Sequence, residues 1–472
     1  MKKNSYYITT TLPYVNAEPH IGFAIEILQA DCIARYHRQL GYDVFHNFGT
    51  DEHGIKIYRK AQEQKKDPKT YVDEYSKTFT KLKDALNINY DAFIRTTDLN
   101  HKKAAQHFWN ICNKKGDIYK KTYKTKYCIG CELEKTDSEL IKGTCEFHPT
   151  TKLEIIQEEN YFFRFSNYQE KLLAFYKNNP DFVIPAKRFN EIIEFVKNGL
   201  QDFSVSRLKT KMPWGIPVPN DSDHVMYVWF DALINYISTL GWPNDMQKYL
   251  SFWPGVQIAG KDNLRQQSAI WQAMLMSAEL PLSKQIFIHG FISVNGQRMS
   301  KTTGNVISPY ELVDTYGTEA TRYYLLTQVH PYEDSDFTYE KFIKSYNANL
   351  ANGLGNLVSR VAKLCEKISY SQENTSNETI FEDIIQPLQN YRFDHAAEYI
   401  WKKISDVDQV IEQARPWELS EDKLKHFLPK PVNAIRSIAY NIYPYLPDTS
   451  NKITKQFSGN IKSSTPLFPR IK

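Results

Sequence analysis

The sequence predicts an α/β fold: a parallel sheet with helices on its faces, a cysteine-bearing insertion, and then a helical bundle. Three observations carry this. Residues 1–115 alternate β-rich apolar runs with helical patterns, the order that builds parallel sheets. Residues 116–223 break the alternation with turn-rich, cysteine-containing sequence, and it resumes over 224–340. Beyond 340 the pattern is helical throughout.

The elements follow in order. Residues 6–11 read as a strand, and the helix expected over 23–40 is stopped by Gly41. A second strand, 42–48, leads into the turn Gly49-Thr50-Asp51-Glu52-His53-Gly54 and another helix. The insertion becomes rich in Phe, Tyr and Arg and closes on a proline cluster at 212–219. A strand at 225–229 then precedes a helix at 231–240, and a strand at 256–259 precedes a helix from about Leu264. Residues 286–294 are again strand-like. Leu350, Leu354, Leu357, Val361, Leu364 and Ile368 hold one helical period, and 371–379 is a polar loop.

At 472 residues the chain calls for two to four domains. Its 42% apolar and 24% charged residues are those of a globular protein. No apolar run spans a bilayer, and Met1-Lys2-Lys3-Asn4-Ser5-Tyr6 passes straight into strand-like sequence, so a cytoplasmic location is expected. The net charge of +5 decides little. Residues 451–472 hold five Lys or Arg and no acid, which suits either RNA phosphates or a frayed end. Cys32, Cys112 and Cys365 sit in helical segments and are expected to pack as small hydrophobes.

The other cysteines carry the strongest local signal. Cys128-Ile129-Gly130-Cys131 and, 13 residues on, Cys145-Glu146-Phe147-His148 supply four ligands as two hooks. That spacing suits a closed, tetrahedral Cys3His zinc site, with Gly130 and Gly143 easing the turns. Pro19-His20-Ile21-Gly22 places a histidine between a strand and a helix N-terminus, where backbone N–H groups favour phosphate. Arg298-Met299-Ser300-Lys301-Thr302 puts a flexible cation in a polar loop after a strand. Together they suggest a nucleoside triphosphate gripped from two sides. Tyr14, Trp229 and Tyr236, with Asp51 and Asp231, form an aromatic and acidic group suited to an ammonium beside an apolar side chain. The plainer readings are core packing for the aromatics and helix capping for Asp51. Gly255 to Lys261 matches a phosphate loop only until Asp262 takes the Ser/Thr position, and Gly353-Leu354-Gly355 lacks a preceding strand.

These residues resemble a family. Thr11 to Gly22, Gly49 to Gly54, the single knuckle, Tyr227 to Tyr236, Gly260-Lys261-Asp262 and Asn295 to Thr302 occur in the order seen in class I aminoacyl-tRNA synthetases of the short bacterial methionyl type. The resemblance covers essentially the whole chain. It implies a Rossmann-like catalytic domain in two halves, 1–115 and 224–340, the second with the signature lysine loop. It further implies a connective insertion at 116–223 and an α-helical anticodon-binding domain at 341–472. The activity implied is activation of L-methionine by ATP, with Mg2+, and transfer to tRNA(Met), initiator tRNA included. One structural Zn2+ per chain is implied on Cys128, Cys131, Cys145 and His148.

The resemblance also implies roles. His20 and Lys301 would stabilise the triphosphate in the transition state, with Arg207 assisting at the active site. ATP contacts would be His20, Gly22, Glu26, Gly260, Asp262 and Lys301. The methionine site would be Leu12, Tyr14, Asp51, Trp229, Ala232 and Tyr236, with Asp51 holding the amino group. Asn356, Arg360 and Trp417 would read the anticodon, whose unstacked bases suit an aromatic face and an arginine. The chain departs from the family pattern at Phe23, where a second histidine is usual, and at Arg298 and Thr302, where lysine and serine are usual. Asn263 and Gln267 stand where isoleucine and a pocket histidine are common. The Ile, Val and Leu enzymes carry a far longer editing insertion, and the cysteine enzyme a zinc in its active site. A non-catalytic tRNA-binding relative would not need His20, Asp51 and Lys301. With no room for a C-terminal dimerisation domain, a monomer is expected.

Overall fold

The computed structural model describes residues 4–135, 140–299, 304–373 and 378–471. In chain order the elements used below are β1 (Ser5–Thr10), α1 (Ile21–Gln39), β2 (Asp43–Thr50), α2 (Ile55–Glu63), β3 (Ala92–Arg95) and β4 (Ile118–Cys128). They continue with β5 (Glu154–Phe163), β6 (Val183–Ile184), β7 (Ser206–Leu208), β8 (Val256–Gly260) and β9 (Gln285–His289). The C-terminal helices are α3 (Thr318–Thr327), α4 (Asn356–Lys367), α5 (Phe393–Ala414), α6 (Pro429–Ile442) and α7 (Pro447–Gln456).

The chain packs as two compact units, each drawing on separated stretches. Residues 1–19, 42–81 and 90–288 make the first, and 20–41, 82–89 and 289–472 the second. The first unit holds a six-stranded sheet in the order β3-β2-β1-β8-β9-β6. The pairings β1–β2, β1–β8, β2–β3 and β9–β6 are parallel, with Ile8 opposite both His46 and Val256. Five of β1's six residues are buried, as expected of a strand covered on both faces. Strand β8 takes up Val256–Gly260, so that stretch is a buried strand and no phosphate loop.

The insertion joins this sheet through β6 at its edge and adds a sheet of its own. Strands β4 and β5 pair antiparallel from Ile118↔Phe163 to Tyr127↔Glu154; the first cysteine hook starts at the end of β4, on Cys128, and the second lies in the connection between them. Trp109, Trp271, Phe108 and Phe230 are buried in the core of this unit.

In the second unit α1 and α3 pack together, and α5, α6 and α7 form the helical bundle. Arg322 on α3 is fully buried and ties these parts. It pairs with Asp31 of α1 at 2.8 Å and donates to the carbonyls of Leu86, Pro444 and Tyr445 at 2.8–2.9 Å. A buried guanidinium is tolerated only when its donors are matched in this way.

Three expectations need correcting. The segment expected as a strand at 225–229 is a strand only to Met226, and Trp229 stands on a short helix, Val228–Ala232. The helix expected at 231–240 is divided between that helix and Asn235–Ser238. The long helical period beyond 340 is broken by a π-helical stretch, Tyr346–Gly355, before α4. Gly355 permits it: a Cβ there would lie 2.9 Å from the Leu350 carbonyl oxygen. Cys32, Cys112 and Cys365 are buried as expected. Among the described residues no helix is long and apolar enough to cross a membrane.

Candidate functional site

The turn after β2 places Asp51, which is expected to hold the amino group of the substrate. Asp51 leaves the strand but stays pinned, its N–H donating to the Pro13 carbonyl at 2.9 Å and its carbonyl accepting from Val15 N–H at 3.3 Å. Those bonds set Asp51 beside Tyr14 in a parallel bridge. The Tyr14 ring meets Trp229 edge-on at 6.4 Å, so three residues expected in the pocket do come together. Asp51 does not serve as the main cap of α2. That role falls to Glu132, whose Oε1 accepts from Lys56 N–H at 2.9 Å.

Charge around Asp51 is unusual. Burial, with Asp231 and Glu132 nearby, holds its carboxyl well above the ordinary carboxylate range. Burial also pushes the Glu132 carboxyl up to about 7. Asp231 behaves oppositely: burial would raise it, but two imidazoles outweigh burial and hold it low. His53 Nδ1 stands 3.1 Å from Asp231 Oδ2, and His101 Nε2 stands 3.8 Å from Oδ1. His101 is oriented in turn by Ser238 Oγ at 2.9 Å. Of two neighbouring buried carboxylates, the one facing imidazoles is thus the stronger acid and the other the weaker.

Leu12 is half-buried, whereas Ala232 and Tyr236 are buried. Tyr236 packs edge-on against Trp271 at 5.9 Å, and its carbonyl accepts from Tyr7 Oη at 2.8 Å. Gln267 lies on a π-helical stretch, Gln266–Ile270, and is buried with its Oε1 accepting from Gln257 Nε2 at 2.9 Å. An amide therefore fills the place discussed for a histidine. Gly260 ends β8, and Asp262 follows in an exposed 3-10 turn, bonded to Asn263 Nδ2 at 3.1 Å. Arg207, on β7, is buried with Nη1 on Ser204 Oγ at 2.7 Å and its guanidinium 4.3 Å from the Tyr227 ring centroid.

His20 caps α1 with extended backbone, and its carbonyl accepts from Phe23 and Ala24 N–H at 2.9 and 3.0 Å. Gly22 leaves little room for a side chain: a Cβ would sit 2.8 Å from the mobile Met299 Cε and 3.1 Å from the His20 ring. Glu26 is buried, and its Oε2 stands 3.0 Å from His289 Nε2. His20, Gly22 and Glu26 belong to the second unit, and Gly260, Asp262 and Arg207 to the first. Lys301 lies outside the described residues.

The knuckle assembles as its spacing predicts. Ligand atoms of Cys128, Cys131, Cys145 and His148 all lie within 4.8 Å of one another. Cys131 Sγ is 3.3 Å from Cys145 Sγ and 3.1 Å from His148 Nδ1. The His148 ring lies where a Gly130 Cβ would be, at 2.4 Å, so the first hook needs glycine there. Gly143 turns with φ +80°, the left-handed region that suits glycine. Three thiols and an imidazole so gathered match a metal of borderline softness.

On α4, Asn356 is exposed one turn before Arg360. Arg360 pairs with Asp408 at 2.8 Å and Glu412 at 2.7 Å, and its guanidinium lies 5.7 Å from the Trp417 ring centroid. Trp417 is 46% exposed, a large apolar face left open to a partner. Glu132, His101 and His289 escaped the sequence reading. Only the position of Glu132 directly after the Cys131 hook could have flagged it.

The chain is similar to known proteins over nearly its whole length. The family model described as "tRNA synthetases class I (M)" matches residues 6–154 and 139–362. The methionine–tRNA ligase of Thermotoga maritima is 41% identical over 97% of this chain and 76% of its own length. That of Brucella suis is 38% identical over 96% of this chain and 92% of its own. A solved structure of Mycobacterium tuberculosis methionyl-tRNA synthetase with methionyl-adenylate superposes with a TM-score of 0.92 at 33% identity, covering 99% of this chain and all of that one. With full-length likeness in both sequence and fold, the chain belongs to the class I methionyl-tRNA synthetases.

Proposed function

We propose that this methionine–tRNA ligase works through a division of labour among the residues described above. Methionine enters beside Tyr14 and Trp229, and its ammonium is held by the Asp51 carboxylate, whose charge the ammonium stabilises. The observation that carries this is Asp51 itself: a buried carboxyl, locked by backbone bonds next to an aromatic pair. Leu12, Ala232 and Tyr236 complete the apolar lining. The methionine carboxylate then attacks the α-phosphorus of Mg-ATP, giving methionyl-adenylate and pyrophosphate. Catalysis is positioning plus charge stabilisation, with no covalent enzyme intermediate.

In this reading His20 and Lys301 stabilise charge on the triphosphate, and Arg207 assists from β7. Gly22 lets the His20 turn come close to the nucleotide, while Glu26, Gly260 and Asp262 contact adenosine. The 3′-terminal adenosine hydroxyl of tRNA(Met), initiator tRNA included, takes the methionyl group. Asn356, Arg360 and Trp417 read the anticodon. Cys128, Cys131, Cys145 and His148 hold one structural Zn2+, which fixes the hairpin tip and leaves no open coordination position.

We assign 1–115 and 224–340 to the catalytic domain, 116–223 to the insertion and 341–472 to anticodon binding, in a cytoplasmic monomer. Charging of tRNA(Met) with labelled methionine, followed with and without ATP, tests the reading. ATP-dependent charging is expected; charging that needs no ATP, or none from folded protein with intact tRNA, would remove it.

A further inference from the structure

The knuckle carries one side chain that points away from its metal ligands. Glu132 follows Cys131 directly, with φ +50°, a left-handed conformation that residues other than glycine seldom adopt. Such strain persists only where surrounding structure enforces it, and it concentrates at functional positions. Its side chain is 1% exposed, unusual for a glutamate.

Both carboxylate oxygens are engaged by residues of the amino-acid site. Oε1 accepts from Lys56 N–H, in the first turn of α2, at 2.9 Å. Oε2 accepts from the Tyr14 hydroxyl at a long 3.4 Å. Gly54 makes room for this approach: a Cβ there would lie 2.5 Å from Oε2, and its φ of +111° also favours glycine. Lys56 reaches back to the knuckle, its Nζ donating to the Gly130 carbonyl at 3.4 Å. Tyr14, Ile55 and Trp229 pack with Ile129, Tyr127 and Tyr227 in one apolar cluster around this strut.

We propose that Glu132 is a positioning residue for methionine, setting the Tyr14 hydroxyl and the start of α2 from the cysteine turn so that Tyr14 stands correctly against Trp229 and Asp51. This rests on Tyr14 and Asp51 being the methionine site, as read above. The knuckle then does more than stabilise a hairpin. It supplies one of the groups that shape the amino-acid pocket, which explains why a costly buried carboxyl is kept beside a metal-binding turn.

The test is steady-state pyrophosphate exchange with Glu132→Ala, Glu132→Gln, Tyr14→Phe and the double variant Tyr14→Phe/Glu132→Ala. Glu132→Ala is expected to raise KM for methionine about tenfold, the scale of one lost hydrogen bond to a charged group, while KM for ATP stays within about twofold. Glu132→Gln keeps an acceptor oxygen and recovers most of the loss. The double variant is no worse than the worse single one, because both substitutions remove the same contact. Unchanged methionine KM in Glu132→Ala would overturn the proposal, as would parallel rises in both KM values or additive losses in the double variant. Tyr14→Ala separates the two levels: if it leaves methionine KM unchanged, the assignment of the pocket fails and the proposal with it. If Tyr14→Ala raises that KM and Glu132→Ala does not, only the proposal fails.

Discussion

The cysteine knuckle and the proposed amino-acid pocket lie in the same compact unit, yet they are built on opposite principles. The knuckle takes all its ligands from residues 128–148, so its chemistry is local and its spacing declares it. The proposed pocket draws Tyr14, Asp51, Glu132 and Trp229 from across more than two hundred positions, and its electrostatics come from residues that need not touch substrate. One metal constrains four side chains to one tetrahedron, which a short sequence can encode. A site for an ammonium group needs a buried carboxyl whose neighbours set its proton affinity, and those neighbours are placed by the fold.

The comparison breaks most readily at Asp51. Asp51→Asn is expected to lower kcat/KM for methionine in pyrophosphate exchange roughly 10²–10³-fold, the scale of a lost buried charge partner. KM for ATP should change far less. Equal losses toward both substrates would mean that Asp51 shapes the fold rather than the ammonium seat.

The knuckle should respond in stability first. Purified protein is expected to carry one zinc by atomic absorption, and Cys128→Ser to lose it. The apparent Tm should fall, since a ligand at about 1,000 times its Kd stabilises by about 4 kcal/mol. Zinc-free protein with an unchanged Tm would remove the metal from the account.

The smallest effect sharpens the contrast. The folded-state pKa of Asp51 is raised, so its stabilising contribution is whole below the unfolded carboxyl value, near ~4, and is lost as pH rises through the folded value. Asn cannot ionise. Asp51→Asn should therefore melt a few degrees, roughly 2–4 °C, above the wild type at pH 8 and level with it near pH 4. A variant less stable than wild type at pH 8 would contradict the raised proton affinity of Asp51. A functional carboxyl that costs stability is what a substrate-binding group is expected to look like.

Much of this was legible in the chain because periodicity and spacing are local signals. The strand-turn-helix around His20, the stop of α1 at Gly41 and the two hooks of the knuckle appear where their residue types predict. What escaped depended on local turns that periodicity does not mark and on distant partners. Trp229 sits in a β-prone run, yet the chain turns helical there because Tyr227 carbonyl accepts from Phe230 and Asp231 N–H. The run of leucines after 340 hides a π-helical stretch, since an apolar stripe survives one residue more per turn. Glu26 carries no sequence sign of His289, which lies 263 positions away. Nor does Asp231 announce the two imidazoles that hold its charge. Glu132 is the sharpest case, because its neighbour Cys131 draws the eye to the metal while its own carboxylate faces the other way.

The central claim is that a pocket assembled around Asp51 selects methionine for activation by ATP. Pyrophosphate exchange with each of the twenty amino acids, at equal concentration and saturating ATP, tests it most directly. Exchange with methionine alone is the predicted result. Exchange driven better by another amino acid would contradict the assignment of the pocket, and would point to the buried amide of Gln267 as the place to look for the change.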